Sequence, residues 1–298
     1  MAFDSLETPF GKAEKIIGGS ATYNALSASY FTSGVSVVSV IGDDFPQSVM
    51  DDMRSRNIGL DGVELKEGEK SFFWAGKYHN DMNTRDTLDT QLNVLADFDP
   101  VLPESDRNPD FLMLGNLTPA VQMKVIDQLE SRPKLIILDT MNFWMEVALD
   151  ELKEVLKRVD VVTINDEEAR MLSGEYSLVK AARKILEMGP QYLIIKKGEH
   201  GALLFGSDEV FFAPALPLEE VFDPTGAGDT FAGGFVGYLA SREAVSFDSM
   251  KRAVIYGSAM ASFCVEKFGT ERLVELSETE IQRRIRQFID LTQIEISF

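Results

Sequence analysis

The chain has 298 residues, of which 45% are hydrophobic, and a formal net charge of -19 at pH 7. This length allows one large α/β domain, or a domain with an appendage, that buries a substantial core. The negative charge argues against nucleic acid or an anionic membrane as a partner, because both require an excess of Lys and Arg.

Two segments near the start have the alternating, aromatic-rich pattern of strands and lack helical spacing. They cover residues 5–17 and 63–95. We expect them to pair into a small β lid over the carboxyl edge of an α/β sheet, where open α/β folds bind ligands. Asp4 follows only three residues. This leaves almost no room for a leading strand, so we expect that such a strand is missing or lies upstream of Met1.

From about residue 110, short apolar runs alternate with segments of helical spacing. The runs are FLMLGN, KLIILDT, VDVVTIN and YLIIKKG, and helices are predicted near 119–131, 146–158, 166–188, 229–241 and 248–266. Short strands separated by helices of this length indicate βαβ units. We therefore predict an α/β fold with a doubly wound, mainly parallel sheet flanked by helices. Its core covers residues 1–4, 18–62 and 96–298.

A glycine-rich loop precedes one of these helices. In DPTGAGDTFAGGF, residues 223–235, Gly226, Ala227 and Gly228 stand directly before Asp229. A capped turn explains these residue types by itself, because Gly favours turns and Asp caps helices. Alternatively, the backbone N–H groups close on an anion while the carboxylate takes a proton. The sequence has no Walker loop and no dinucleotide fingerprint to explain the glycines.

DPTGAGDTFAGGF resembles the second signature of the ribokinase-like carbohydrate kinase family, also called PfkB, and the similarity extends over nearly the whole chain. The segments GGSATYNALSAS (18–29), VIGDDF (40–45) and NDEE (165–168) resemble the family's sugar-binding turn, a strand exit and its Asn-x-x-Glu motif. The resemblance implies transfer of the γ-phosphoryl group of ATP to a hydroxyl, usually a CH₂OH of a sugar or nucleoside.

By this resemblance, Asp229 is the general base, and the N–H groups of Gly226, Ala227 and Gly228 form the anion hole. These roles suit phosphoryl transfer, which depends mainly on positioning and charge stabilisation. General-base assistance contributes roughly 10²- to 10⁴-fold. Loop amides would also supply the donors that an acidic chain otherwise lacks.

The resemblance associates Asn165 and Glu168 with Mg²⁺ and its water shell. A hard cation that retains waters suits a lone carboxylate. The same N-x-x-E spacing after a strand is also a helix cap with an acidic first turn. Both interpretations can hold at once.

Asp4, Gly18 and Gly19 resemble the residues that hold the acceptor, because a carboxylate can accept from two adjacent hydroxyls. The family's usual asparagine aligns with Tyr23, and Asn24 falls one place later. A tyrosine at this position would narrow the pocket or stack on a ring, which bears on the identity of the acceptor.

KKGEHGALLF at 196–205 resembles the strand and glycine turn beside the nucleotide. Lys197, Gly198, Gly201 and the loop residue Thr225 are therefore candidate ATP-binding residues. A tight hairpin turn with a solvated lysine explains the first three equally well. Arg85, in a polar segment at 79–93, is a candidate for substrate contact, against the simpler interpretation of a solvated loop.

Cys264 is the only cysteine, so the chain has no internal disulfide, and a reducing compartment is expected. With only His79 and His200 besides, zinc chemistry is not expected. No apolar run approaches the roughly 18 residues of a membrane span, and the start lacks a signal-peptide pattern. We expect a cytoplasmic protein with a small-molecule acceptor. Exposed lid edges would also allow a homodimer.

Three classes of function stay open at this point. The first is an ATP-dependent sugar kinase, with a nucleoside kinase of the same fold beside it. The second is a ligand-binding protein that has lost phosphoryl transfer, supported by the missing first strand and the altered asparagine position and opposed by the intact Asp229 and its glycines. The third is a nicotinamide oxidoreductase, opposed by the absence of a dinucleotide fingerprint.

Overall fold

The computed structural model describes residues 1–242 and 245–293. The parts of the predicted core that fall on 243–244 and 294–298 lie outside the described residues. The strands are β1 (Ala2–Thr8), β2 (Gly11–Gly18), β3 (Val35–Gly42), β4 (Ile58–Lys66), β5 (Phe73–Tyr78), β6 (Arg85–Gln91), β7 (Phe111–Leu114), β8 (Leu135–Asp139), β9 (Val161–Asn165), β10 (Tyr192–Lys196), β11 (Ala202–Phe205) and β12 (Val210–Ala213).

The helices are α1 (Ser20–Ser29), α2 (Gln47–Ser55), α3 (Pro119–Asp127), α4 (Asn142–Val147), α5 (Leu149–Leu156), α6 (Asp166–Ser173), α7 (Leu178–Leu186), α8 (Ala227–Ala240), α9 (Phe247–Cys264), α10 (Glu271–Val274) and α11 (Glu278–Thr292). In the part of the chain that the structure describes, no helix combines the length and apolar character needed to cross a membrane.

The largest sheet has six strands in the order β12–β11–β10–β9–β8–β7, and β7 to β10 are parallel. Successive side chains of a strand point to opposite faces. In β8, Ile136 and Leu138 pack with α5 and α7, whereas Ile137 packs with α8 and α9. Both faces of the sheet are therefore covered by helices. This confirms the predicted doubly wound, mainly parallel architecture.

A second, two-stranded parallel sheet joins β3 and β4. Helices α1 and α2 cover it through an apolar cluster that includes Leu26, Met53 and Ile58, all nearly inaccessible to solvent. Helix α1 also packs closely along α8. This second contact fixes the start of α1 beside the start of α8.

The two lid segments lie in one four-stranded sheet, in the order β2–β1–β5–β6. The parallel pair β1–β5 connects the strands of the first segment with those of the second. The boundaries differ from the predicted ones. Strand β1 begins at Ala2 and contains Asp4, so room for a strand does exist there. Residues 63–66 belong instead to β4 and pair with β3.

The helix predicted over 166–188 is interrupted. Helix α6 ends at Gly174, which has the left-handed backbone (φ 70°) of a helix C-cap. Helix α7 then begins after Ser177. The apolar spacing continues across the break because both helices pack on the same sheet face, and this explains why one long helix was predicted.

Candidate active site

Three adjacent strands place polar residues along the carboxyl edge of the main sheet. Asp139 ends β8, Asn165 ends β9 and Lys196 ends β10. Lys196 is in register with Asn165, and Asp139 is in register with Thr163 one strand away. The start of α8 faces this edge, since the Lys196 ammonium lies 3.0 Å from the position that a Cβ on Gly228 would occupy.

The glycine loop is held in one shape by Asp223. One oxygen of its carboxylate accepts from the N–H of Thr225 at 2.8 Å, and the other accepts from the N–H of Gly269 at 2.8 Å. Gly226 caps α8 with φ 73°, and a Cβ there would overlap the ring of Tyr23. Only glycine fits this turn without strain.

Within the described residues, the N–H groups of Gly226, Gly228 and Asp229 have no protein acceptor. Ala227 differs, because its N–H donates to the carbonyl of Pro224 at 3.2 Å. The anion hole predicted from Gly226, Ala227 and Gly228 thus has two free loop donors, and Ala227 contributes mainly to the turn. The unsatisfied N–H groups of a helix N-terminus attract anions.

Asp229 stands in the first turn of α8. The side-chain amide of Asn24 donates toward its Oδ1 at 3.4 Å and also toward the hydroxyl oxygen of Ser20 at 3.2 Å. Burial, and next the negative charge of Asp139, raise the pKa of Asp229 to about 6. A carboxylate with this pKa is ionised at neutral pH and can still take a proton.

Lys196 and Asp139 form an ion pair with an Nζ–Oδ1 distance of 3.0 Å and side-chain exposures of only 19% and 9%. Burial alone would lower the pKa of the lysine. The charges of Asp139, Glu168 and Asp229 outweigh burial, so the pKa of Lys196 is raised and the ammonium stays protonated.

Asn165 and Glu168 form a capping box at the start of α6. The N–H of Glu168 donates to the Asn165 side chain at 2.7 Å, and the N–H of Asn165 donates to the Glu168 carboxylate at 2.7 Å. Burial raises the pKa of Glu168 to about 7, although the nearby charge of Lys196 opposes this. The helix-cap interpretation of N-x-x-E is therefore correct. Among the described residues, the other oxygen of Glu168 has no hydrogen-bond partner and is free to contact a ligand.

Asp4 lies close to the glycine loop and is 5% exposed. A Cβ on Gly18 would overlap its carboxylate, so a side chain at position 18 would exclude Asp4 from this place. Burial raises the pKa of Asp4 to about 7, and the charges of Asp223 and Asp229 add to the effect. Gly19 is the N-cap of α1, and a Cβ there would overlap the backbone of Met1 and Ala2.

The two residues predicted to line the acceptor pocket occupy different places. Tyr23 is 1% exposed, its ring lies against Gly226, and its hydroxyl has no hydrogen-bond partner among the described residues. This placement favours support of the glycine loop over stacking on an acceptor. Asn24 donates to Ser20 and Asp229 instead. It therefore positions the carboxylate of the candidate base.

Lys197, Gly198 and Gly201 form the tight turn between β10 and β11, closed by a hydrogen bond from the Lys197 N–H to the Gly201 carbonyl at 2.8 Å. A Cβ on Gly198 would come within 2.6 Å of Asn83 in the loop between β5 and β6. The hairpin interpretation of this segment is thus correct. A nucleotide contact from these residues stays a prediction.

The lid sheet reaches the glycine loop through β5. The hydroxyl of Thr225 donates to the hydroxyl of Tyr78 at 3.1 Å, and Tyr78 is almost fully buried. The lid and the loop are therefore in direct contact. Thr225 uses its side chain here, while its predicted contact with ATP stays a prediction.

Sequence reasoning missed Asp139, Lys196 and Asp223. Asp139 and Lys196 share a recognisable signal, because each is the polar residue that ends a fully apolar strand, in LIILD and YLIIK. Residues at this position line the ligand crevice of open α/β sheets. Asp223 opens the glycine motif, but nothing in the neighbouring sequence indicates that it holds the loop.

The fold and the site are those of a small-molecule kinase. The model of the pfkB family carbohydrate kinases matches residues 3–276. The chain is 31% identical over 250 residues to the cytidine kinase of Thermococcus kodakarensis, covering 81% of this chain and 87% of that protein. The chain belongs to the PfkB family of carbohydrate kinases.

Solved structures agree on the fold. The nucleoside kinase of Methanocaldococcus jannaschii superimposes with a TM-score of 0.74 at 18% identity, covering 96% of this chain and 95% of that one. The ribokinase of Arabidopsis thaliana, solved with ribose and ATP, superimposes with a TM-score of 0.72 at 18% identity, covering 96% and 95%. The protein is accordingly an ATP-dependent kinase of sugars or nucleosides.

Proposed function

We propose that this kinase phosphorylates the primary hydroxyl of a ribose-bearing acceptor, with Asp229 as the general base. The observation that carries the proposal is the position of Asp229. Its carboxylate, with a pKa of about 6, lies in the first helical turn beside the free N–H groups of Gly226 and Gly228. One group can take the proton while the adjacent groups stabilise the transferred phosphoryl.

In this mechanism, Asp229 removes the proton of the acceptor hydroxyl as its oxygen bonds to the γ-phosphorus. The bond from that phosphorus to the β,γ-bridging oxygen breaks, and ADP leaves. Asn24 holds the carboxylate in place through its hydrogen bond, and Ser20 accepts from the same Asn24 amide. The N–H groups of Gly226 and Gly228 donate to the phosphoryl oxygens, where charge must be stabilised during the transfer.

Asp4 supports a ribosyl acceptor. Its buried carboxylate beside Gly18 can accept from two adjacent hydroxyls, as the 2- and 3-hydroxyls of ribose provide. The similarity to a cytidine kinase favours a nucleoside. The structural similarity to a ribokinase keeps free ribose as the second candidate.

An ADP-release assay with a panel of acceptors tests the proposal. The panel contains cytidine, uridine, adenosine, inosine, ribose and fructose, each with ATP and Mg²⁺. We expect acceptor-dependent ADP release with at least one ribosyl compound and little release without acceptor. Turnover of fructose alone would contradict the ribosyl proposal, and release that no acceptor stimulates would contradict acceptor phosphorylation.

We also propose that Glu168 holds Mg²⁺ through the metal's water shell, with Asn165 fixing the glutamate. Across residues 1–242 and 245–293, no three acidic, His or Cys side chains cluster to enclose a metal. This fits Mg²⁺, which keeps several waters and uses one or two carboxylates with substrate phosphates. When bound, the cation would neutralise phosphate charge.

Replacing Glu168 with Gln should raise the Mg²⁺ concentration for half-maximal rate by roughly 10-fold, because the outer shell loses its negative charge. Glutamine can still complete the capping box, so the melting temperature should change little. Glu167→Gln, on the exposed neighbouring residue, is the matched control. An unchanged Mg²⁺ dependence with a lower melting temperature would assign Glu168 to capping alone.

The pH dependence of the reaction should follow Asp229. Its pKa is raised to about 6, and only the ionised form can accept the proton. Bound acceptor and Mg²⁺ hold Asp4 and Glu168 ionised, so we expect kcat at saturating acceptor and Mg²⁺ to be level above pH 7 and to fall by about tenfold per pH unit below pH 6. Initial rates between pH 5 and 8.5 measure this. A rate that stays constant down to pH 5 is incompatible with this base.

We propose that the predicted lid segments, without residues 63–66 of β4, move as one lid that closes over the acceptor; they cover 5–17 and 67–95. The shared four-stranded sheet and the Tyr78–Thr225 hydrogen bond support this. Closure would shield the reaction from water, which is itself a competent acceptor. The homodimer expected from the lid edges stays a prediction; the exposed strand β6 is compatible with it.

Hydrogen exchange tests the lid. A turned-over acceptor should slow exchange in both segments together, because they share one sheet. ATP alone should protect mainly residues 223–235. Protection in one segment without the other would contradict a shared lid and leave 67–95 as a surface insertion.

A further inference from the structure

The ammonium of Lys196 is a buried cation with unused hydrogen-bonding capacity. An ammonium has three donors. Among the described residues, Lys196 donates to Asp139 alone, at 3.0 Å. Two donors therefore remain, in a side chain that is only 19% exposed. Buried donors normally have hydrogen-bond acceptors, so a bound ligand can supply the acceptors that these two donors lack.

The same ammonium lies beside the N-terminus of a helix. It is 3.0 Å from the Cβ position of Gly228, in the first turn of α8. The N-terminus of a helix carries partial positive charge and favours anions over cations. The Lys196 ammonium thus lies beside Gly228, whose N–H group has no acceptor among the described residues, and both would stabilise a phosphate oxygen bound there.

Ion pairing with Asp139 does not by itself explain this position. The chain has another Lys–Asp pair beside β8: Lys134 directly precedes this strand and contacts Asp110, which directly precedes β7, at 3.1 Å. That pair lies at the amino end of the strand, and the side chain of Lys134 is 50% exposed. The buried pair, in contrast, lies at the ligand-binding edge, where burial of charge is costly.

We propose that Lys196 is a catalytic residue that binds the γ-phosphoryl group of ATP during its transfer, with Asp139 holding the ammonium in place beforehand. This rests on the proposed function. As the bond from the acceptor oxygen to phosphorus forms and the bond to the β,γ-bridging oxygen breaks, Lys196 donates hydrogen bonds to a non-bridging oxygen. It stays protonated throughout, and the acceptor proton goes to Asp229.

Nucleotide binding separates this role from a structural one. The γ-phosphoryl is present in ATP and absent from ADP, so Lys196→Met should weaken binding of the β,γ-imido analogue of ATP by about 10-fold. Binding of ADP should change by less than about threefold. Isothermal titration calorimetry with Mg²⁺ and each nucleotide measures both. In the same variant, kcat should fall by roughly 10²- to 10³-fold, as for loss of other transition-state donors.

Three further variants make the test decisive. Lys134→Met is the matched control and should bind both nucleotides normally. Lys196→Arg keeps a cation and should retain most of the preference for the analogue. If Lys196→Met does not fold, the double variant Lys196→Gln with Asp139→Asn removes the ammonium without leaving an unpaired buried carboxylate.

Loss of affinity for the analogue alone supports the proposal. Equal weakening of both nucleotides, or unchanged binding of both, overturns it. The binding comparison does not depend on an acceptor. If no acceptor in the panel is phosphorylated, the proposed function is refuted. The binding comparison still tests the role of Lys196.

Discussion

Replacing Asp229 with Asn should lower kcat by at least roughly 10²-fold, because the amide keeps the shape of the carboxylate but cannot take the acceptor proton. Dissociation constants for ATP and acceptor should change by less than about threefold, since the free N–H groups of Gly226 and Gly228 stay in place. Steady-state kinetics and calorimetry measure the two effects. The pKa of about 6 makes Asp229 the group whose loss has the largest expected effect.

Asp248 provides a matched control for this substitution. It is also an acidic residue in the first turn of a long helix, α9, but it is exposed and pairs with Lys251. Asp248→Asn should leave kcat unchanged. A kcat near the wild-type value in Asp229→Asn would eliminate Asp229 as the base, and equal losses in both variants would indicate a helix-capping effect.

Replacing Gly226 with Ala should disable the anion hole and destabilise the fold. The residue has φ 73°, and its new Cβ would overlap the ring of Tyr23. The left-handed backbone costs about 1–2 kcal/mol and the overpacking a further 1–3 kcal/mol or so of unfolding free energy. We expect kcat to fall by about 10²-fold, because the loop N–H groups lose their alignment. Urea unfolding and steady-state kinetics measure the two effects.

Gly68→Ala isolates the backbone contribution. Gly68 has φ 78°, and no atom lies within 4 Å of the Cβ position. This variant should lose only the cost of the left-handed backbone and keep full activity. If the two variants lose the same stability and both stay active, the contact between the loop and Tyr23 has no role in catalysis.

The glycine motif shows how far the sequence could go. Gly226, Gly228 and Asp229 alone are also explained by a capped turn, and the phosphate loop and the base are predicted through the resemblance of the whole motif to the kinase signature. The alternation of apolar runs with helical spacing likewise predicts the doubly wound sheet. Both inferences depend on neighbours in sequence, where local chemistry is sufficient.

The missed and misplaced residues depend on contacts between distant segments. Lys196 and Asp139 are 57 positions apart and meet because β8, β9 and β10 lie side by side with aligned ends. The Tyr23 ring lies against Gly226 because α1 packs along α8. The spacing of residues in the sequence does not show which way this side chain points. The predicted start of the second lid segment at residue 63 was wrong for the same reason. The pairing of β4 with β3 is set by tertiary structure.

The central claim is that the chain transfers the γ-phosphoryl group of ATP to a CH₂OH group. Proton-coupled ³¹P NMR of the reaction mixture tests it most directly, because an ester on CH₂OH couples to two protons and one on a secondary carbon couples to one. We predict that a new triplet forms at the same rate as ADP. The triplet should be absent when Asp229→Asn replaces the wild-type enzyme. A doublet, or inorganic phosphate as the only new signal, would contradict the account.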